Sequence, residues 1–176
     1  KQMDYFKTPC WKSGMVPALN VRDQAIIIDD EIIETTPQIR SRYFENDLLK
    51  HIFMDYFNNG AKWTQVPKPI LTDNSFDISY QKEQGEEIQR EDNYYDIGHE
   101  ILFDGAQCIR FNRDIVINCS TINHILGAQW LKRHLKDHRI HIVKMTDNHI
   151  DSTMLPLREG TLLVNPIKYK ANQLPD

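Results

Sequence analysis

Three aspartates and one histidine are the residues of this chain best placed to do chemistry, because each lies beside a stretch that reads as a β-strand. Asp23 precedes the apolar run Ala25 to Ile28, Asp104 falls in Phe103-Asp104-Gly105-Ala106, and Asp151 follows His149-Ile150. With residues 149–153 extended, alternate side chains share a face, so His149, Asp151 and Thr153 point the same way. A carboxylate near an imidazole raises its pKa and fits it for taking and giving protons. Carboxylates grouped in a concave site also bind a cation. A planar guanidinium suits them best, since its fork of donors matches carboxylate oxygens two at a time.

Each of these residues also has a plainer reading. A lone histidine is commonly a hydrogen-bonded structural residue, and an aspartate beside a strand commonly turns or caps the chain. Asp114 is read as such a turn residue. His134, His138 and His141 include a His-x3-His spacing that suits a metal. Lys132, Arg133, Lys136 and Arg139 surround them, however, and a basic helix end complementing the helix dipole is the simpler account, so no metal site is expected. Cys108 and Cys119 each fall within a predicted strand with no base beside them in sequence, which makes them core residues and not nucleophiles.

The elements that position these residues repeat. Ala25 to Ile28, a turn at Asp29-Asp30, and Ile32-Ile33 predict a β-hairpin. Pro37 opens a helical pattern in which Ile39, Tyr43, Ile52, Phe53 and Tyr56 share one face, while Arg40, Arg42, Glu45, Asp47 and Lys50 form the polar face. Asn58-Asn59-Gly60 stops that helix, and a short segment from Trp63 to Val66 ends at Pro67-Lys68-Pro69. A second hairpin is predicted around Asn112-Arg113-Asp114. Ser120 or Thr121 then caps a helix with an apolar stripe of Ile122, Ile125, Leu126, Trp130, Leu131 and Leu135, and a strand covers Arg139 to Met145. A third hairpin starts in His149 to Leu157 and continues through Thr161 to Val164. Arg22-Asp23 and Arg113-Asp114, each before an apolar strand, look like an echo of one repeated unit. The units are 20–71, 99–147 and the beginning of a third at 148–176, with 72–98 as a polar surface excursion, all parts of a single domain over 1–176.

Composition excludes several classes of function. The chain has 176 residues, 40% hydrophobic and 26% charged, with a net charge of −4, an ordinary globular balance. Its longest apolar run is Ala25 to Ile28, whereas a membrane span needs about 20 such residues, so no membrane span is expected. A pI near 6.0 and the lack of a long basic block argue against a nucleic-acid partner. Three cysteines (Cys10, Cys108 and Cys119) leave one over from any disulfide framework, pointing to a reducing compartment. The opening on Lys1 and the stop at Asp176, soon after the strand-like Leu162-Leu163-Val164, read as the ends of a fragment.

A long collinear set of motifs is more specific than any of these features. Arg40-Ser41-Arg42-Tyr43-Phe44-Glu45, Tyr56-Phe57 through Gly60-Ala61-Lys62-Trp63-Thr64, and Pro67-Lys68-Pro69 begin it. Phe103-Asp104, Phe111-Asn112-Arg113-Asp114, Thr121-Ile122-Asn123-His124, Gly127 and Trp130-Leu131-Lys132-Arg133-His134-Leu135 extend it. His149-Ile150-Asp151, Thr153 and Asn165-Pro166 close it. Together they resemble the first half of the glycine amidinotransferase family over nearly the whole chain, least in 72–98.

That resemblance implies an α/β pentein fold, a propeller of ββαβ units of which this chain holds about two and the start of a third. It implies transfer of the amidino group of L-arginine to an acceptor amine such as glycine, as in creatine biosynthesis, through a covalent amidino-cysteine. No metal or organic cofactor is implied, the partners are these small molecules, and a homodimer fits. His149 matches the family's general acid/base and Asp104 its catalytic aspartate, while Asp23, Asp151 and Lys168 match substrate-binding positions. Lys168 stands where the glycine enzyme has arginine, Gln107 replaces a second acid, and Asn148 replaces a methionine, which leaves the acceptor open among glycine, lysine and aminocyclitols. The family's nucleophilic cysteine lies beyond Asp176, so this chain alone is expected to be inactive. A guanidine hydrolase of the same fold, such as an arginine deiminase, and a catalytically inactive binding module are the alternatives. The expected location is cytoplasmic, or mitochondrial if a transit peptide precedes the chain.

Overall fold

The structure is a computed structural model and describes residues 20–37, 42, 44–69, 100–146 and 149–168. The expectations for Ile39, Tyr43, the 72–98 excursion, Asn148 and Cys10 lie outside the described residues.

Runs of β-branched residues form the strands. A single helical turn, α1 (Val21–Gln24), leads into β1 (Ala25–Ile28), which pairs antiparallel with β2 (Glu31–Glu34). A 3-10 turn (Glu45–Leu49) runs into α2 (Lys50–Asn58), and β3 (Lys62–Gln65) returns parallel to β2, giving the order β1-β2-β3. The next sheet repeats the pattern. A 3-10 turn (Gly105–Gln107) enters β4 (Cys108–Phe111), antiparallel β5 (Asp114–Asn118) follows, α3 (Ile122–His134) crosses over, and β6 (Arg139–Val143) lies parallel to β5. A last 3-10 turn (Ile150–Ser152) opens a two-stranded sheet of β7 (Met154–Arg158) and β8 (Thr161–Val164). The architecture is therefore α/β with small sheets. Both hairpin loops of the larger sheets have two residues, and the first of each, Asp29 and Asn112, is left-handed at φ 55° and 57°. Asp and Asn tolerate that region better than other non-glycine residues.

The first two sheets share one core, in which Ile26, Ile28 and Ile33 meet Phe103, Ile115 and Ile117. Strand alternation places Ile26 and Ile28 inside and leaves Ile27 62% exposed. A bridge between Thr36 and Phe103 ties the exit of the first sheet to the entrance of the second.

Three expectations need correction. The apolar stripe expected on α3 holds only toward its C-terminal end: Leu131 and Leu135 are buried and Trp130 packs on the core, whereas Ile122 and Ile125 are exposed and Asn123, His124, Gly127 and Ala128 face inward. The helix presses against backbone here. A Cβ at Gly127 would lie 2.4 Å from the Leu102 carbonyl oxygen, and Asn123 Oδ1 accepts from Glu100 N at 3.2 Å, so small and polar residues serve where bulky apolar ones do not fit. On α2 only Phe53 is buried, edge-on to Trp63, and Ile52 and Tyr56 are half exposed. Residues 149–153 are not extended, since Ile150–Ser152 is a 3-10 turn and strand pairing starts at Met154. Thr121 does cap α3, its hydroxyl accepting from His124 N at 3.2 Å.

Candidate functional site

A short helical turn stands at the entrance to each sheet: α1, Gly105–Gln107 and Ile150–Ser152. The second of these packs against both of the others. Glycine makes the first contact feasible, because a Cβ at Gly105 would lie 2.4 Å from Arg22 O and 2.8 Å from Ala25 O. Arg22 fastens the same contact, donating from Nη1 to Gly105 O at 2.6 Å and from Nη2 to Cys108 O. On the other side of α1, Thr35 holds the turn by donating from Oγ1 to Asp23 O at 2.7 Å and from its amide to Gln24 O at 2.9 Å.

The side chains of these turns converge. His149 Nε2 lies 2.8 Å from Asp104 Oδ2, and Nδ1 lies 3.8 Å from Asp23 Oδ1, an ion-pair separation beyond hydrogen-bond reach. The imidazole thus sits between two nearly buried carboxylates supplied by the first and second sheets' entrances. Its pKa is raised by the hydrogen bond to Asp104, against the opposing effect of burial, with further help from the charges of Asp104, Asp23 and Asp151. Asp104 Oδ1 is buried and has no hydrogen-bond partner among the described residues. Gln107 fixes the aspartate's backbone: its Oε1 accepts from Asp104 N at 2.8 Å while Nε2 donates to Asn118 O at 3.2 Å. A carboxylate in its place lacks the donor for that second bond.

Asp151 is half-buried on the turn that follows His149 and acts on it through charge. Lys168 is exposed, its Nζ donating to Ser152 Oγ at 2.8 Å. The structure therefore brings His149, Asp104 and Asp23 together, places Asp151 beside them, and sets Lys168 one residue away from Asp151 through Ser152.

Two residues of this cluster were given no role in the site from sequence, where they counted as a helix's polar face and as part of a family motif. Arg42 donates from Nη1 to Asp23 Oδ2 at 3.1 Å and grips Glu45, with Nε at 3.1 Å from both carboxylate oxygens and Nη2 at 3.0 Å from Oε2. Glu45 is almost fully buried and also accepts from Gln24 Nε2. Their spacing of three residues in the Arg-Ser-Arg-Tyr-Phe-Glu stretch is the signal that marks them.

The three histidines of the basic segment do not gather. His134 Nε2 lies 2.8 Å from Glu31 Oε1, His138 Nε2 lies 3.4 Å from Asp29 Oδ2, and His141 Nε2 lies 2.7 Å from Asp114 Oδ1. Among the described residues no group of three or more His, Cys, Asp or Glu is placed to hold a metal ion, and no helix is long and apolar enough to cross a membrane. Cys108 and Cys119 lie in the core, and burial pushes each thiol up to about 12, far from nucleophilic readiness.

No family model matches the chain. It is 35% identical over 168 residues to the mitochondrial glycine amidinotransferase of Gallus gallus, covering 92% of this chain and 40% of that protein. It is 35% identical to the L-arginine:L-lysine amidinotransferase of Pseudomonas savastanoi, covering 92% of this chain and 45% of that protein. Among solved structures it superposes on an amidinotransferase of saxitoxin biosynthesis from Microseira wollei with a TM-score of 0.76 and 39% identity, over 97% of this chain and 49% of the other. A dimethylarginine dimethylaminohydrolase from Pseudomonas aeruginosa shares the fold at a TM-score of 0.55 and 15% identity, over 86% of this chain and 48% of the other. The chain spans less than half the length of each of these relatives.

Proposed function

The chain belongs to the amidinotransferase family, and from that premise we propose that the full-length protein transfers the amidino group of L-arginine to an acceptor amine. The observation that carries this reading is the imidazole of His149 held between Asp104 and Asp23. In the proposed sequence a cysteine thiolate outside this chain attacks the guanidinium carbon. The bond from that carbon to the δ-nitrogen breaks, and His149 hands its proton to the departing amine of ornithine. The acceptor amine then gives a proton to His149 and attacks the same carbon, and the carbon–sulfur bond breaks to restore the thiolate.

The geometry supplies a reason for proton release at the right moment. In the free site the hydrogen bond to Asp104 and the charges of the neighbouring aspartates favour the protonated imidazole. When a guanidinium pairs with the same carboxylates, their charge is compensated and His149 loses the field that kept its proton. The unpartnered Asp104 Oδ1 is a ready acceptor for a guanidinium N–H. Asp23 and Asp151 complete the cation's hold, and Lys168, close to the rim through Ser152, faces a carboxylate of substrate. The set of sheets is part of a pentein propeller closed by further copies of the same unit, and the chain by itself is inactive: Cys108 and Cys119 are buried core thiols, and Cys10 does not match the position of the family's nucleophile.

His149→Ala or Asp104→Asn in the full-length gene product is expected to abolish ornithine release nearly completely while leaving the circular-dichroism spectrum unchanged. Turnover like that of the wild type in either variant refutes the assignment. Release of citrulline and ammonia in place of ornithine and a new guanidino compound marks a hydrolase instead.

A further inference from the structure

One cation in the site comes from the protein itself. The Arg42 side chain is only 12% exposed. The charges facing it are Asp23 on α1, Glu45 on the turn before α2, and Asp104 at the entrance of the second sheet. Burial works against its charge, but the hydrogen bond to Glu45 and the fields of Asp104, Glu45 and Asp23 outweigh that, and the guanidinium's pKa stays above its ordinary value. The groups facing His149 are Asp104, Asp23 and Asp151, while Arg22 of α1 is engaged with the carbonyls of Gly105 and Cys108. Asp23 is thus shared: Oδ2 is on Arg42, and Oδ1 faces the imidazole.

We propose that Arg42 is a positioning residue that clamps Asp23 by one oxygen, aims the other at His149, and offsets part of the negative charge that the acids of the site present. Without the clamp, the Asp23 carboxylate is free to rotate onto Nδ1 and its full charge acts on the imidazole. His149 then holds its proton more tightly, and the aspartate is less well set to receive a substrate guanidinium. The task needs a fork of donors, because Arg42 serves Asp23 and Glu45 together, and a lysine ammonium is a single point. The substrate half of this inference rests on the amidinotransferase reading above, while the imidazole half rests on geometry alone.

The test uses the full-length gene product with Arg42→Gln and Arg42→Lys, each alone and combined with Asp23→Asn. The titration of His149 is followed through its imidazole NMR resonances, and ornithine release is measured against L-arginine concentration. Arg42→Gln is expected to move the His149 midpoint upward by about one pH unit, a tenfold change in proton affinity. In the Asp23→Asn background the same change is expected to shrink markedly, because the part carried through the Asp23 carboxylate is gone while Arg42 still pairs with Glu45. The KM for L-arginine is expected to rise about tenfold in Arg42→Gln and less in Arg42→Lys, with kcat changed little. A merely structural role lowers stability and leaves the midpoint in place. An unmoved midpoint in Arg42→Gln, or an equal shift with and without the Asp23 charge, overturns the proposal. If Arg42→Gln does not fold, Arg42→Lys decides, and a wild-type midpoint together with a wild-type KM overturns it. A shifted midpoint in a protein whose wild type transfers no amidino group supports the clamp and removes the functional reading instead.

Discussion

Replacing Gly105 by alanine tests whether the packing of the two sheet entrances sets the geometry of the acids. The added methyl would lie 2.4 Å from Arg22 O, against 3.4 Å for an ordinary contact, so the turn must back away from α1 by about 1 Å. Neither of the nearest atoms belongs to a side chain that can swing aside. Both are backbone carbonyls, and the guanidinium of Arg22 ties the same turn down. Asp104 is the neighbouring residue on one side of this contact and Asp23 is on the other, so the space between their carboxylates opens with it. His149 then cannot keep both its 2.8 Å contact to Asp104 and its 3.8 Å approach to Asp23. A displacement of about 1 Å at a reacting group costs on the order of 100-fold in rate. Overpacking of this kind also costs about 1–3 kcal/mol of stability. Ornithine release and thermal unfolding of the full-length Gly105→Ala variant measure both. Gly60→Ala is the control: Gly60 is left-handed at φ +99° with open space around it, so alanine there is expected to lower Tm and leave the rate intact. A Gly105→Ala protein with wild-type rate and Tm refutes the coupling between the turns and the site.

Two further outcomes are expected. Because the folded-state pKa of His149 is raised, its pairing adds stability that is fully present below its unfolded value, about 6.5, and is lost as pH rises through the folded value. The Tm of the wild type and of His149→Gln are therefore expected to differ most at mildly acid pH and to converge on the alkaline side; a constant gap counts against the pairing. Cys108 and Cys119, with thiols pushed up to about 12 by burial, are expected to resist iodoacetamide in the native protein and to react on unfolding. Peptide mapping that finds either labelled in the folded state at neutral pH contradicts their place in the core.

The strands were legible because isoleucine runs need few neighbours to identify them: Ala25 to Ile28 and Ile115 to Ile117 form where their pattern puts them, and Thr121 caps where a hydroxyl is needed. The helices were less so. A periodic stripe assumes a partner surface of side chains, but α3 lies on the backbone near Leu102 and selects Gly127 and Asn123 instead. Charge was the most misleading guide. Arg42 and Glu45 look like a solvated helix face, yet they neutralise each other in a nearly buried layer behind Asp23. The Arg-Asp echo joins unlike places: Arg22-Asp23 lies on α1, whereas Arg113 is in the hairpin loop and Asp114 is the first residue of β5. The structural repeat is the helical turn at each sheet's entrance, and its trace in the sequence is the aspartate in or beside each turn, Asp23, Asp104 and Asp151. His149 and Asp104 stood out beside predicted strands and took their roles from motifs spread along the chain, while the alternation invoked for 149–153 gives way to a 3-10 turn.

Those entrance turns separate what holds the molecule together from the residues proposed to carry its chemistry. Among the described residues the ladders lie in the strands, with one isolated bridge between Thr36 and Phe103, while Asp23, Asp104, His149 and Asp151 themselves lie outside strand pairing. A lineage can therefore rewrite its chemistry one short turn at a time, trading an acid for an amide or a base, without renegotiating the scaffold.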